Sequence, residues 1–185
     1  MPVSISLENS PKSVSTGRIN LIRRDSLRWK KFAGSIIRGD TMLSKDFKEF
    51  IVLLNKHSVK YLLVGGYAVA IHGHPRYTKD LDVWIALSEE NADKILKALD
   101  DFGFGKLKLT SEDFTEPDQI IQLGFPPNQI DIITSLTGID FNSCYGDRLV
   151  VNIDGIDIEI IDRENLRRNK LATGRPQDLA DAENI

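Results

Sequence analysis

The chain has 185 residues, of which 41% are hydrophobic and 28% charged, which suits a single closed domain. No apolar run approaches the ~20 residues of a membrane-spanning helix, and no charged-then-apolar secretory signal opens the sequence. Cys144 is the one cysteine, so an intramolecular disulfide is excluded. We therefore expect a cytoplasmic protein that does not enter a membrane.

Charge is distributed unevenly along the chain. Residues 1–41 hold eight basic and three acidic residues, whereas residues 42–185 hold sixteen basic and twenty-four acidic ones, giving net charges of +5 and −8. This predicts a basic N-terminal extension over 1–41, flexible or docked as an arm, and a folded domain over 42–185. A basic arm fits contact with a polyanion such as RNA, although a solvated tail has the same composition.

The first part of the domain alternates helix and strand signals. Ser44 is placed to cap a helix whose apolar residues follow three-four spacing. A short buried strand over 61–64 ends at Gly65-Gly66, and a small helix covers 67–71. The alternation of polar and apolar residues over 80–85 then predicts a strand.

The second part adds further strands and helices in order. Ser88 begins a helix with a buried stripe, and Asp162 caps another that ends near Gly174. The remaining predicted elements are strands over 120–123, 129–136, 149–153 and 156–161 and a short helix over 175–184. We therefore expect an α/β (α+β) fold with a mixed, mostly antiparallel sheet of four to six strands and helices on one face.

Gly65-Gly66 lies between a strand and a helix, where backbone N–H groups are able to approach a phosphate closely. Glycine is also common in strand-to-helix turns that bind nothing. The pair gains meaning only together with other residues.

Asp80 and Asp82 lie two apart in one predicted strand, so both carboxylates face the same side, with α-carbons about 6.6 Å apart. Like charges this close are unfavourable unless a cation or strong donors compensate. Aspartates at the end of a strand also face water without any function, so the pair alone leaves both interpretations open.

Asp131 is a lone carboxylate in another strand-like run. If that strand neighbours the one with Asp80 and Asp82, three carboxylates meet on one face. Such an oxygen-rich cluster suits Mg²⁺ better than zinc, and two Mg²⁺ ions would be able to bridge a triphosphate and activate an attacking hydroxyl.

These residues resemble a known signature. The order Leu63-Val64-Gly65-Gly66, Asp80-Leu81-Asp82-Val83 and Ile130-Asp131-Ile132 is similar to that of the polymerase-beta-like nucleotidyltransferase superfamily. The resemblance implies that Asp80 and Asp82 bind metal and triphosphate, that Asp131 completes the metal and catalytic set by helping to deprotonate the acceptor hydroxyl, and that the glycine turn holds phosphates.

Two further stretches resemble small members related to abortive-infection type IV toxins. Arg76-Tyr77-Thr78-Lys79-Asp80 is similar to their Arg-x-Thr-x-Asp run, and Lys170 to Arg175 followed by Asp178 is similar to their Lys…Arg-x-x-Asp motif. The resemblance implies nucleotide binding by Arg76, Thr78 and Lys170. From the sequence alone, an exposed helix lysine is the alternative interpretation of Lys170.

The sequence thus predicts a metal-dependent transfer of a nucleoside monophosphate from a Mg²⁺-bound nucleoside triphosphate (NTP) to an acceptor hydroxyl. One acceptor class is RNA, especially tRNA, or a protein partner in a toxin–antitoxin system. A small hydroxylated compound, as for antibiotic-modifying nucleotidyltransferases, is the alternative. A catalytically idle nucleotide-binding or antitoxin-like partner is the third interpretation.

Overall fold

The computed structural model describes residues 43–76, 78–125 and 128–185, so the extension predicted over 1–41 lies outside the described residues. The helices of the described part are α1 Lys45–Lys56, α2 Gly65–Ile71, α3 Glu89–Leu99, α4 Phe141–Gly146, α5 Arg163–Thr173 and α6 Pro176–Asn184. Its strands are β1 Tyr61–Leu63, β2 Asp80–Ile85, β3 Ile120–Leu123, β4 Gln129–Ile133, β5 Leu149–Ile153 and β6 Ile156–Ile160. A π-helical turn at Asp100–Phe104 follows α3, and a 3₁₀ turn at Ser111–Phe114 precedes β3. Among these elements, no helix is long and apolar enough to cross a membrane.

The predicted helix caps are confirmed by hydrogen bonds. Ser44 Oγ accepts from the Phe47 N–H at 3.2 Å, and Ser88 Oγ accepts from the Asn91 N–H at 3.2 Å. A side-chain acceptor at this position satisfies a backbone donor that the first helical turn leaves unpaired.

The end of α5 and the start of α6 are also as predicted. Gly174, with φ of +67°, ends α5 in the left-handed conformation that glycine adopts without steric cost. Pro176 begins α6, where its missing N–H costs nothing.

The six strands form one sheet in the order β3-β4-β2-β1-β6-β5. The pairs β3–β4, β1–β2 and β5–β6 are antiparallel, whereas β2–β4 and β1–β6 are parallel. The predicted α/β fold with a mixed, mostly antiparallel sheet is therefore confirmed.

Strand β2 has one apolar and one acidic side. Leu81 and Val83 are fully buried in the core, whereas Asp80 and Asp82 point to the other side and stay half-buried. Burial of the apolar side fixes the register of the strand, because a slip by one residue would exchange the two sides. The core therefore dictates which face carries the carboxylates.

Several local features differ from the sequence prediction, among them the strand predicted over 129–136, which ends at Ile133. Helix α2 begins at Gly65 and not at Tyr67, so the two glycines form its first turn. Helix α4 was not predicted, because its six residues are too few to show a helical period. Its N-cap is Asp140, whose carboxylate accepts from the Ser143 N–H at 2.9 Å.

Candidate functional site

Strands β2 and β4 lie side by side in parallel, with Asp82 directly opposite Asp131. Asp80 lies opposite Gln129 in the same register. Neighbouring strands are about 4.8 Å apart, and residues of equal register point to the same side of a sheet. The sequence could not show whether the strand with Asp131 neighbours the strand with Asp80 and Asp82. In the fold the two strands are neighbours.

A cavity of about 300 Å³ opens on this side of the sheet. All eight residues that the sequence predicted for the site contribute to its walls: Gly65, Gly66, Arg76, Thr78, Asp80, Asp82, Asp131 and Lys170. Five other residues complete the lining: Ile120, Gln122, Ile133, Arg175 and Asp178. Segments distant in sequence therefore meet at one concave surface, as expected of a ligand site.

The glycine turn packs directly against the acidic strand. Gly65 has φ of +60°, and a Cβ built on it would overlap the carboxylate of Asp82. The backbone N–H of Gly66 donates to that carboxylate, and a Cβ on Gly66 would lie 2.6 Å from Thr78 Oγ1. Both glycines are therefore required by close approach, at Gly65 also by the backbone angle.

Burial raises the cost of ionising all three carboxylates, and neighbouring carboxylates add to that cost at Asp82 and Asp131. Burial, followed by the charges of Asp131 and Asp80, raises the pKa of Asp82 to about 7. Burial also raises the pKa values of Asp131 and Asp80, and the charge of Asp80 adds to the effect at Asp131. Among the described residues, none of the three forms an ion pair with a lysine or arginine. The part of the cavity lining formed by Asp80, Asp82 and Asp131, which we call the acidic wall, therefore lacks an ion-pair partner among the described residues.

Two glutamine side chains hold the carboxylate of Asp131. Gln129 Nε2 donates to Oδ1 at 2.8 Å, and Gln122 Nε2 lies 3.3 Å from each carboxylate oxygen. Sequence analysis missed both glutamines. Gln122 had a signal, since it is the polar residue of β3 in an otherwise apolar run, but its position opposite Asp131 depends on a strand pairing that the sequence does not reveal.

Another part of the cavity lining, which we call the positive wall, is formed by three basic residues: Arg76 before β2, Lys170 on α5 and Arg175 just before α6. Lys170 is buried, with 2% of its side chain exposed, and its Nζ lies 2.5 Å from Asp178 Oδ1 and 2.7 Å from Asp181 Oδ2. Arg76 donates to both carboxylate oxygens of Asp181 at 3.1 Å. The alternative interpretation of Lys170 as an exposed helix lysine is therefore wrong, because two buried carboxylates compensate its charge.

Asp178 links this wall to the chain reversal between the two helices. It accepts from Lys170, from Thr173 Oγ1 at 2.7 Å and from Arg175 Nε at 2.5 Å. These donors hold its pKa below the usual range although burial opposes them. We call Lys170, Arg76, Arg175, Asp178 and Asp181 the α5–α6 ion-pair network.

The acidic wall fits a hard divalent cation by its donor chemistry. Asp80, Asp82 and Asp131 offer only oxygen atoms, lie on adjacent strands and lack a positive partner, which is the donor set that Mg²⁺ prefers. In the described part of the chain, however, no three His, Cys, Asp or Glu side chains are arranged as a complete metal site. The glutamine contacts of Asp131 take up part of its coordinating capacity.

A mixed sheet that bears paired acidic strands beside a glycine-led helix is the architecture expected of a nucleotidyltransferase. Residues 41–185 match the profile of a family described as "Nucleotidyltransferase of unknown function (DUF6036)". The chain belongs to this family.

Seven solved chains match this chain, and two proteins among them are from different organisms. A Thermotoga maritima protein assigned as a nucleotidyltransferase has 16% sequence identity and a TM-score of 0.48, with 74% of this chain and 86% of that chain covered. An antigenic nucleotidyltransferase-like protein from Paracoccidioides brasiliensis has 19% identity and a TM-score of 0.44, with 76% of each chain covered. No curated protein matches the sequence.

Proposed function

We propose that the protein transfers a nucleoside monophosphate from a Mg²⁺-bound NTP to an acceptor hydroxyl. The observation that carries this proposal is the parallel register that sets Asp82 opposite Asp131, with Asp80 on the same cavity wall. Three mutually repelling carboxylates without a cationic partner are costly for folding alone, and a bound divalent cation offsets that cost.

The nucleotide-binding side of the site consists of the glycine turn and the positive wall. Gly65 and Gly66 line the cavity, where the backbone of the turn would face the phosphates, and Thr78 lies against Gly66 as a neutral donor. Arg76 and Lys170 line the same cavity as cationic hydrogen-bond donors. Preorganised charge of this kind stabilises the negative charge that develops on a reacting phosphate.

Asp80, Asp82 and Asp131 would hold the Mg²⁺, and we propose that two ions bind there. Bound Mg²⁺ neutralises phosphate charge and favours ionisation of the attacking hydroxyl.

The chain's own groups then serve a single in-line displacement. The acceptor oxygen forms a bond to the α-phosphorus while the bond to the β-phosphate oxygen breaks, and pyrophosphate leaves. Asp131 accepts the proton of the acceptor hydroxyl on a carboxylate oxygen, which its raised pKa favours. Gln129 and Gln122 orient that carboxylate through their amide donors.

The acceptor is proposed by class. The resemblance to toxin-type members favours RNA, especially tRNA, or a protein of a toxin–antitoxin system, and the basic residues 1–41 agree with a polyanion. A small hydroxylated compound is the alternative.

Transfer of an α-phosphate label tests the proposal. The full chain is incubated with Mg²⁺ and each of four α-labelled NTPs, together with the RNA, protein or small-molecule fraction of a cell lysate. We expect label in one fraction and a rate at least about 100-fold lower for Asp82→Asn. Asp93→Asn, an exposed change on α3, serves as the control and should react like the wild type.

Two results would contradict parts of the proposal, and a third would assign the acceptor. Undiminished labelling by Asp82→Asn contradicts the role of the acidic wall. Binding of NTP and Mg²⁺ without turnover on any fraction supports the idle partner instead. Loss of RNA labelling after deletion of residues 1–41, with NTP binding intact, assigns the acceptor to RNA.

A further inference from the structure

Arg76, Lys170 and Arg175 line the cavity. They differ in how many of their N–H donors are available to a ligand. Lys170 uses two of its three N–H donors to contact Asp178 and Asp181, and its side chain is 2% exposed. Arg76 donates to Asp181 through its Nε and one terminal nitrogen in a bidentate interaction. A ligand that competed for these donors would leave buried carboxylates unpaired, which is costly.

Arg175 is the exception within the ion-pair network. Its side chain is 53% exposed, and only its Nε is engaged, by Asp178 Oδ2 at 2.5 Å. Both terminal guanidinium nitrogens are without a further hydrogen-bond partner in the portion of the chain that the structure describes. The contact with Asp178 therefore orients the Arg175 side chain, while the N–H groups of its two terminal nitrogens are available to a ligand.

The position of Arg175 is fixed by its surroundings. Its backbone N–H donates to Thr173 Oγ1 at 3.3 Å, and Thr173 also donates to Asp178. Because Asp178 is in turn held by buried Lys170, the carboxylate that orients Arg175 is itself immobilised. An oriented side chain loses less conformational entropy when it binds a ligand.

We infer that Arg175 is the residue of the positive wall that binds the phosphate chain of the NTP directly, and that Lys170 acts as a positioning residue through Asp178. This inference rests on the proposed function and adds a ligand contact to it. A planar guanidinium matches phosphate oxygens through two parallel hydrogen bonds, which an ammonium group does not reproduce. Arg175 lines the same cavity as the acidic wall, so both would contact one phosphate chain, the carboxylates through a bound metal and Arg175 directly.

Equilibrium binding separates this role from a structural one. The affinities of the full chain for each Mg²⁺–NTP and for inorganic tripolyphosphate with Mg²⁺ are measured by calorimetry, for wild type, Arg175→Ala and Arg175→Lys. We expect Arg175→Ala to weaken NTP and tripolyphosphate binding by roughly 10- to 100-fold, and Arg175→Lys to fall between it and the wild type. Binding of the corresponding nucleoside should stay within about twofold, because a nucleoside lacks phosphates.

Arg168→Ala is the matched control. Arg168 is an exposed arginine on α5 that donates to Asn165 Oδ1 at 3.2 Å and does not line the cavity. Its removal changes the net charge by the same amount and should leave NTP affinity within about twofold.

The outcomes separate this inference from the proposed function. If wild type binds NTP and Arg175→Ala binds it equally well, the inference is wrong and the proposed function stands. If wild type binds neither NTP nor tripolyphosphate, both fail. If Arg175→Ala unfolds at a lower temperature, Arg175→Lys decides: native stability with wild-type affinity contradicts a two-pronged contact.

Discussion

Asp82 on β2 lies directly opposite Asp131 on β4, two carboxylates on adjacent parallel strands with no cationic partner among the described residues. Repulsion between such a pair lowers the stability of the fold, a cost that functional sites commonly carry. We therefore predict that Asp82→Asn stabilises the metal-free protein at pH 8 by about 1–2 kcal/mol, because it removes one of two like charges. Thermal unfolding in the presence of a chelator measures the effect.

Two comparisons make this prediction specific. Asp93→Asn should change the melting temperature little, because Asp93 is exposed. Added Mg²⁺ should raise the melting temperature of the wild type more than that of Asp82→Asn. A less stable Asp82→Asn in chelator would contradict the idea that repulsion dominates at this position.

Gly65→Ala should disrupt the site through contact with Asp82. The substitution forces an alanine to φ of +60° and places its Cβ into the Asp82 carboxylate. Gly73 has φ of +104° and open space around it, so Gly73→Ala carries only the backbone cost of about 1–3 kcal/mol. We expect Gly65→Ala to lower the free energy of unfolding more than Gly73→Ala in urea denaturation. Equal costs would show that the close approach does not constrain the turn.

Lys170→Met tests whether the ion-pair network holds α5 and α6 together. Removal of a buried cation leaves Asp178 and Asp181 without their shared partner, at a cost of about 3–5 kcal/mol. Lys94→Met is the matched control, since Lys94 pairs with exposed Glu90 four residues earlier on α3. Its loss should cost under about 1 kcal/mol. Urea denaturation compares the two, and similar losses would contradict a structural role for Lys170.

We predict that the burial of His72 makes the protein less stable in acid. Its Nε2 lies 2.8 Å from the Ile161 carbonyl oxygen, and its ring is buried. Burial, with a smaller effect of Arg163, lowers the pKa of His72 to about 4. Between pH 6.5 and pH 4 the unfolded chain therefore binds more protons than the folded one, so the free energy of unfolding falls as the pH is lowered.

The size of this effect follows from the shift. His72 should contribute a loss of about 2–3 kcal/mol between pH 7 and pH 4.5. The same urea measurement on His72→Gln, which keeps an amide donor toward Ile161, should show a loss smaller by that amount. Identical losses in the two proteins would mean that His72 does not titrate as its burial requires.

Local signals in the sequence predicted most of the fold. Caps such as Ser44 and Ser88 satisfy helix donors within three residues, and the two-sided character of β2 is visible as alternation, so neither depends on the rest of the chain. What the sequence left open was non-local. The parallel pairing that places Asp131 beside Asp82 joins residues 49 positions apart, and no local pattern encodes it.

The parts of the site that sequence analysis missed share this cause. The contact of Gln122 with Asp131 follows from the β3–β4 register, and the burial of Lys170 follows from the docking of α6. The Lys…Arg-x-x-Asp motif pointed to Lys170 and Asp178, but it did not reveal that the two side chains pair with each other in the interior. Side-chain partners were thus harder to predict than the elements that carry them.

The most direct test of the central claim is to locate the metal. Crystals of the protein with Mn²⁺ and an NTP analogue that resists cleavage between the α- and β-phosphates would give an anomalous scattering peak. We predict a peak about 2.0–2.3 Å from carboxylate oxygens of Asp80, Asp82 and Asp131, with the phosphate chain on its other side. A metal bound elsewhere, or a nucleotide bound without contact to these three residues, would contradict the account.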